Sequence, residues 1–147
     1  MRVSTNERLV DATPDQVWAV LADGWLYPLW VVGATRMREV DDSWPAPGSV
    51  LHHSVGAWPL VLDDTTSVTA CDLGRRLDLR ARAWPSGEAA VSIELEAVGA
   101  RTRVRIREDA VAGPGRLVPA PLRHLPLAWR NVETLRRLAY LAERRAG

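Results

Sequence analysis

Glu108 is the residue in this sequence with the clearest capacity for chemistry. It continues the alternation of Val104 and Ile106 in a stretch that is typical of a β-strand, so its carboxylate is expected on the same apolar face. A carboxylate in apolar surroundings needs a partner or takes up a proton. Glu108 could therefore orient a ligand or act as a general acid or base. Alternatively, it could pair with an arginine such as Arg130 and fix the last helix on the sheet.

Two adjacent histidines, His52 and His53, offer a second acid–base group. Neighbouring residues of a strand point to opposite faces, so only one of the two can face an apolar interior. Their flanking residues do not show which one it is. The third histidine, His124, lies at the irregular start of a helix, and no spacing typical of metal ligands is present. The sequence predicts no metal and no cofactor, and it leaves Glu108, His52 and His53 as catalytic candidates only.

Cys71 is the single cysteine, which excludes an intramolecular disulfide and a multi-cysteine metal site. It lies in a predicted strand with no base near it in the sequence, so we interpret it as a small apolar residue. The sequence contains no Gly-x-Ser-x-Gly elbow, phosphate-binding loop or dinucleotide fingerprint. These observations identify no catalyst, and whether the protein is an enzyme stays open.

Length and composition restrict the classes of protein that fit. A chain of 147 residues predicts one domain, residues 1–147. The net charge of +1 gives no indication of a nucleic-acid or anionic-membrane partner. No signal peptide and no apolar run of the roughly 18 residues that a membrane span needs are present, which favours a cytoplasmic protein without integral membrane association. The oligomeric state stays open.

The elements that must position these residues follow from the periodicity. Residues 3–10 read as a first strand, Thr13 and Pro14 begin a short helix, and a second short helical piece follows. Period-two alternation then predicts six more strands, and three- and four-residue spacing predicts a helix over residues 122–145. The six strands are expected at residues 34–40, 49–55, 65–71, 76–84, 89–95 and 101–107.

The last two strands also predict their own pairing. With Val98-Gly99 as the loop, Glu96 faces Arg101, and Glu94 pairs with an arginine two residues further on. The row of arginines on the last strand would then lie beside acidic residues. We interpret it as a salt-bridged, solvated face of the sheet and not as a nucleic-acid surface.

The predicted fold is of the α+β class, because a sheet with one apolar face must bury it and only the C-terminal helix is long enough to cover it. The expected architecture is a curved antiparallel sheet of about seven strands wrapped around that helix, with two short helices after the first strand. This arrangement has room for a cavity between sheet and helix.

The order of elements, together with several short motifs, resembles the START-like (SRPBCC) superfamily, which includes the polyketide cyclase/dehydrase and lipid-transfer group. The similarity covers essentially the whole chain. The motifs are residues 12–18 (ATPDQVW), residues 23–30, Gly48 after a proline-rich loop, residues 99–104 leading to Glu108, and residues 130–135 (RNVETL). The resemblance implies a helix-grip fold with a cavity, and it implies no single function, because members bind, transfer or transform different ligands.

The alternation assigns a wall to this cavity. Several inward positions are alanines, which would leave space for a ligand unless tryptophan side chains fill it. Trp30, Trp44, Trp58 and Trp84 lie at loops or strand ends, where they could stack on a ligand or simply pack. The predicted ligand-binding residues are Trp30, Trp58, Leu79, Ala81, Val91, Ile93, Val104, Ile106, Glu108, Ala128, Val132 and Leu135.

Three functions fit these expectations. The first is binding or transport of a small hydrophobic molecule such as a lipid, an isoprenoid or a polyketide-like compound. The second is an enzyme of the polyketide cyclase/dehydrase type that uses Glu108 and either His52 or His53 as acid and base. The third is a protein-interaction domain of the chaperone-activator type, which an exposed apolar patch would favour.

Overall fold

The computed structural model describes residues 4–31, 34–55, 62–83, 87–112 and 120–146. Within these residues, seven strands and three α-helices follow one another, with a short 3-10 helix, Gly24–Leu26, between the first two helices. In chain order the elements are β1 (Ser4–Val10), α1 (Pro14–Leu21), α2 (Tyr27–Trp30), β2 (Ala34–Val40), β3 (Val50–Val55), β4 (Leu62–Asp72), β5 (Arg76–Ala83), β6 (Gly87–Val98), β7 (Arg101–Ala112) and α3 (Ala120–Ala146).

The strands form one antiparallel sheet in the order β1-β7-β6-β5-β4-β3-β2. Strands β2 to β7 pair with their neighbours in sequence, whereas β1 pairs with the last strand. The two short helices therefore lie on the connection between opposite edges of the sheet. The predicted α+β architecture, with seven curved strands, two early helices and a long C-terminal helix packed on the sheet, is confirmed.

Helix α1 begins where the sequence predicts. The Thr13 hydroxyl accepts a hydrogen bond from the backbone N–H of Gln16 at 3.3 Å, and the Gln16 side chain accepts one from the backbone N–H of Thr13 at 2.8 Å. This reciprocal capping box satisfies two N–H groups at the helix start. Pro14 occupies the first helical position, where no N–H is needed.

The β6–β7 hairpin differs from the predicted pairing by two residues. Its loop is Gly99-Ala100, one position later than expected, so Glu96 faces Arg103 and not Arg101. Gly99 has a φ of +61°, which glycine adopts freely and which a tight two-residue loop requires at its first position. A shift of two residues leaves every side chain on its predicted face, and alternation alone therefore does not detect it.

The outer face of this hairpin is salt-bridged, as expected, although the partners differ from the predicted ones. An Arg105 nitrogen lies 2.6 Å from a Glu7 oxygen on β1, and an Arg103 nitrogen lies 3.4 Å from a Glu96 oxygen on β6. Exposed pairs of this kind contribute only about 0.2–1 kcal/mol each, and they mainly favour the observed register and a solvated surface.

Helix α3 packs against β1, β7, α1 and α2. Leu135, Leu138, Ala139 and Ala142 form its buried stripe. Trp44 is also buried, and its indole N–H donates to the Leu21 carbonyl at 3.2 Å, so it packs the core beside α1. Among the described helices, none combines the length and the apolar character that crossing a bilayer requires.

Candidate functional site

A cavity lies between the inner face of β5–β7 and helices α2 and α3. The volume of this cavity is about 90 Å³, and the cavity opens to solvent. Its apolar wall comes from the sheet and its polar groups come mainly from the helices. The described lining residues are Tyr27, Trp30, Val31, Leu79, Ala81, Ala89, Val91, Ile93, Ile106, Glu108, Arg130, Asn131 and Thr134.

Glu108 faces this cavity, as the alternation along β7 predicts, and it is buried. Its Oε2 atom accepts a hydrogen bond from the Arg130 guanidinium on α3. The Glu108 side chain is 6% exposed and that of Arg130 is 36% exposed, so the ion pair lies at the boundary between interior and solvent. The pair links β7 to α3, which agrees with the expectation that Glu108 fixes the last helix on the sheet. It also places a carboxylate in the cavity wall.

Two buried donors in the cavity wall have no hydrogen-bond partner among the residues that the structure describes. They are the indole N–H of Trp30, at the end of α2, and the Nδ2 amide group of Asn131, on α3. Each residue is 2% exposed. A buried donor left unsatisfied costs about 1–3 kcal/mol, so these two groups are candidates for completion by a ligand.

A buried chain of hydrogen bonds supports the cavity wall behind α2. The Tyr27 hydroxyl lies 3.1 Å from the Thr66 hydroxyl, and Thr66 in turn lies 2.8 Å from Nε2 of His53. The His53 ring stacks on Tyr27 with 5.3 Å between ring centroids. His53 is therefore the inward-facing histidine, whereas His52 is half-buried. Neither histidine is among the described residues that line the cavity.

The structure brings most of the predicted binding residues together. Trp30, Glu108 and five of the predicted residues of β5, β6 and β7 line the cavity, whereas Val104, which was also predicted, is fully buried in the core. The inward lining residues of the three strands that were predicted are Leu79, Ala81, Val91, Ile93 and Ile106.

The helix residues were placed less accurately by the sequence. Val132 is 54% exposed on the outside of α3, so its prediction as a wall residue is wrong. Leu135 is buried but lies in the core. Trp58, like Trp84, and the side chain of Ala128 lie outside the described residues.

The cavity face of α3 is polar, and sequence reasoning missed this. Asn131 and Thr134 line the cavity beside Arg130, and each lies one residue before a position that hydrophobic spacing selected, Val132 and Leu135. Tyr27 was also missed, because the irregular segment before Trp30 has no clear period. The signal that could have identified Asn131 and Thr134 is a polar pair at three-residue spacing next to an apolar stripe.

Cys71 takes no part in this site. Burial, together with the neighbouring Asp72 carboxylate, raises the pKa of the Cys71 thiol, which disfavours the reactive thiolate. Within the described part of the chain, no cluster of three or more histidine, cysteine or acidic side chains could hold a metal ion.

An open groove on the outside of α3 is a separate feature. Leu29 and Tyr140 are exposed in it, and charged residues such as Arg136 and Glu133 surround them. Nothing in the structure shows what covers this groove, so the protein-interaction hypothesis stays a prediction.

Comparison with known families gives one match over nearly the whole chain. The family described as "Polyketide cyclase / dehydrase and lipid transport" matches residues 1–143. No curated protein matches the sequence.

Solved structures share the fold at low sequence identity. The Zhui aromatase/cyclase from Streptomyces sp. R1128 is 23% identical with a TM-score of 0.74, over 99% of this chain and 96% of that chain. Ara h 8.0201 is 13% identical with a TM-score of 0.71, over 96% of this chain and 97% of that chain. The di-domain ARO/CYC BexL is 19% identical with a TM-score of 0.74, and the match covers 97% of this chain and 47% of BexL. At these identities the likeness shows the fold alone.

Proposed function

Because this chain belongs to the polyketide cyclase/dehydrase and lipid transport family, we propose that it binds a small hydrophobic molecule in the cavity between β5–β7, α2 and α3. The observation that carries this proposal is the composition of the cavity wall. Its sheet side is apolar, and a few polar groups converge on it from the helices. A concave apolar surface with few placed polar groups is the usual form of a small-molecule site.

The size of the cavity limits what it holds. An enclosed volume of about 90 Å³ is smaller than the roughly 150 Å³ engineered cavity that binds benzene. The enclosed part therefore suits a single ring or a short chain after modest side-chain movement, and a larger ligand extends toward the opening. Ala81 and Ala89 leave this space, since a larger side chain at either position would fill it.

The first test is native mass spectrometry of the purified protein, followed by denaturing extraction and identification of any released compound. We expect an apolar compound to be released. Binding is then measured with the fluorescent apolar probe N-phenyl-1-naphthylamine in the wild type and in two adjacent variants. Ala89→Leu fills the cavity and should weaken probe binding by about 10-fold or more. The free-energy cost of this weakening is comparable to that of modest overpacking in a core.

The control is Ala90→Leu, which adds the same atoms one residue later, where the strand alternation places the side chain on the opposite face of β6. Probe binding should be unchanged in this variant. Equal binding in the wild type, Ala89→Leu and Ala90→Leu would show that the probe does not occupy the cavity. A wild-type protein that releases no compound and binds no probe would refute the proposal.

A second candidate function is acid–base catalysis on a bound polyketide-like compound, and the Glu108 carboxylate in the cavity wall favours it. In a dehydration, a base removes the α-proton of a β-hydroxy ketone while an acid protonates the departing hydroxyl group, which leaves as water. The conjugated enone that forms is followed by its absorbance. Glu108→Gln should abolish this turnover while ligand binding is largely retained. Unchanged turnover in Glu108→Gln would remove Glu108 from the mechanism.

A further inference from the structure

We infer that the cavity holds its ligand by an oxygen acceptor, such as a carbonyl oxygen, that receives hydrogen bonds from the indole N–H of Trp30 and the side-chain amide of Asn131. This inference rests on the proposed binding of an apolar ligand in the same cavity, and it specifies the polar group that the ligand carries. Trp30 and Asn131 are then positioning residues, because they fix the ligand's orientation.

Leaving these two buried donors unpaired is energetically costly. Trp30 and Asn131 are each 2% exposed, and neither Nε1 of Trp30 nor Nδ2 of Asn131 has a hydrogen-bond partner among the described residues. Native proteins pair nearly all of their buried N–H groups. Two unpaired donors that line one cavity are therefore explained if a bound molecule supplies the acceptor.

Two other polar groups of the wall already have hydrogen-bond partners. Oε2 of Glu108 accepts from Arg130, and the Tyr27 hydroxyl is hydrogen-bonded to Thr66. An indole N–H is a donor only, so Trp30 cannot be satisfied by another donor. The unpaired groups thus select a ligand atom that accepts hydrogen bonds.

The positions of the two donors also orient the ligand. Trp30 ends α2 and Asn131 lies on α3, and these two helices pack against each other. The facing wall is formed by apolar side chains of the sheet, including Leu79, Val91 and Ile93. The ligand's oxygen is therefore expected to lie against the helices and its hydrocarbon part against the sheet.

A matched pair of one-ring compounds tests this inference. Acetophenone and α-methylstyrene have nearly the same shape, and a carbonyl oxygen in the first replaces a methylene group in the second. Their dissociation constants are measured by NMR titration of the ¹⁵N-labelled protein. Because the two compounds differ in hydration, the informative quantity is how the ratio of the two constants changes between the wild type and each variant.

Trp30→Phe and Asn131→Leu each remove one donor. In each variant the preference for acetophenone should fall by about 5-fold relative to the wild type, as expected for the loss of one neutral hydrogen bond. Trp25→Phe makes the same change at a tryptophan that is 58% exposed and is not among the described lining residues, so its preference should equal that of the wild type. Thermal melting of each variant shows that it is folded, and either donor variant alone suffices for the test.

The outcomes separate this inference from the function on which it rests. If both compounds bind and the ratio is the same in the wild type, Trp30→Phe and Asn131→Leu, the oxygen-acceptor site is refuted while the apolar cavity stands. If neither compound binds the wild-type cavity and the apolar probe also fails to bind, the proposed function itself is refuted. A fall in the ratio in either donor variant and not in Trp25→Phe supports the inference.

Discussion

Replacing Arg130 with methionine tests whether the Glu108–Arg130 pair holds α3 on β7. Methionine keeps most of the aliphatic stem but removes the guanidinium, which leaves the Glu108 carboxylate, 6% exposed, without its partner. Removing one member of a fully buried pair costs about 3–5 kcal/mol. Because Arg130 is 36% exposed, solvent screens part of this interaction, and we expect a loss of about 2–3 kcal/mol in the free energy of unfolding.

For a chain of this length, such a loss lowers the melting temperature by roughly 5–10 °C. The measurement is thermal unfolding followed by circular dichroism near neutral pH. The double variant Glu108→Gln/Arg130→Met should be more stable than Arg130→Met alone, since it carries no buried charge.

Arg137→Met is the matched control on the same helix. Arg137 pairs with Glu133 at 3.1 Å, and the two side chains are 43% and 31% exposed, so neither charge is buried as that of Glu108 is. Its replacement should change the free energy of unfolding by about 0.5 kcal/mol or less. If Arg130→Met and Arg137→Met lose the same small amount at neutral pH, the Glu108–Arg130 pair does not stabilise the fold and the reasoning is wrong.

Three further predictions concern the surrounding structure. Thr66→Val removes two buried hydrogen bonds and should lower the free energy of unfolding by about 1–3 kcal/mol in chemical denaturation, whereas Thr69→Val, at an exposed position, should be nearly neutral. Gly24→Ala should destabilise by about 1–3 kcal/mol, because its Cβ would lie 2.6 Å from a Leu51 methyl group; an unchanged melting temperature would show that this contact relaxes freely. Cys71, whose pKa is raised by burial and by the adjacent carboxylate, should react with iodoacetamide more slowly than free cysteine near neutral pH, and an equal rate would contradict the assignment.

Strand alternation was a reliable guide to which residues of the sheet face inward. Glu108 was correctly placed on the inner face from Val104 and Ile106 alone, because the two-residue period of a strand leaves only two choices. The same period could not set the β6–β7 register, since a shift of two residues preserves both faces. The requirement for a positive φ at Gly99 decided the register.

On α3 the sequence was a poorer guide. Hydrophobic spacing selected Val132, but the structure exposes it and turns Asn131 and Thr134 toward the cavity. Apolar spacing identifies the residues that a helix buries in an apolar core, and it does not identify polar residues that line a cavity. The sequence left the choice between His52 and His53 open, because the residues that flank them are mixed in both phases.

The sequence by itself determined the α+β class, the order of the elements, the family and the inward direction of Glu108, because each follows from local periodicity, turn residues or short motifs. Only the tertiary structure decided that Arg130 is the partner of Glu108 and that the His53 ring stacks on Tyr27. It also decided that the Trp30 and Asn131 donors lie unpaired in the wall of one cavity. The physical reason is that these relations join residues far apart in the sequence. Their distances depend on how α2 and α3 pack against the sheet, which no local pattern specifies.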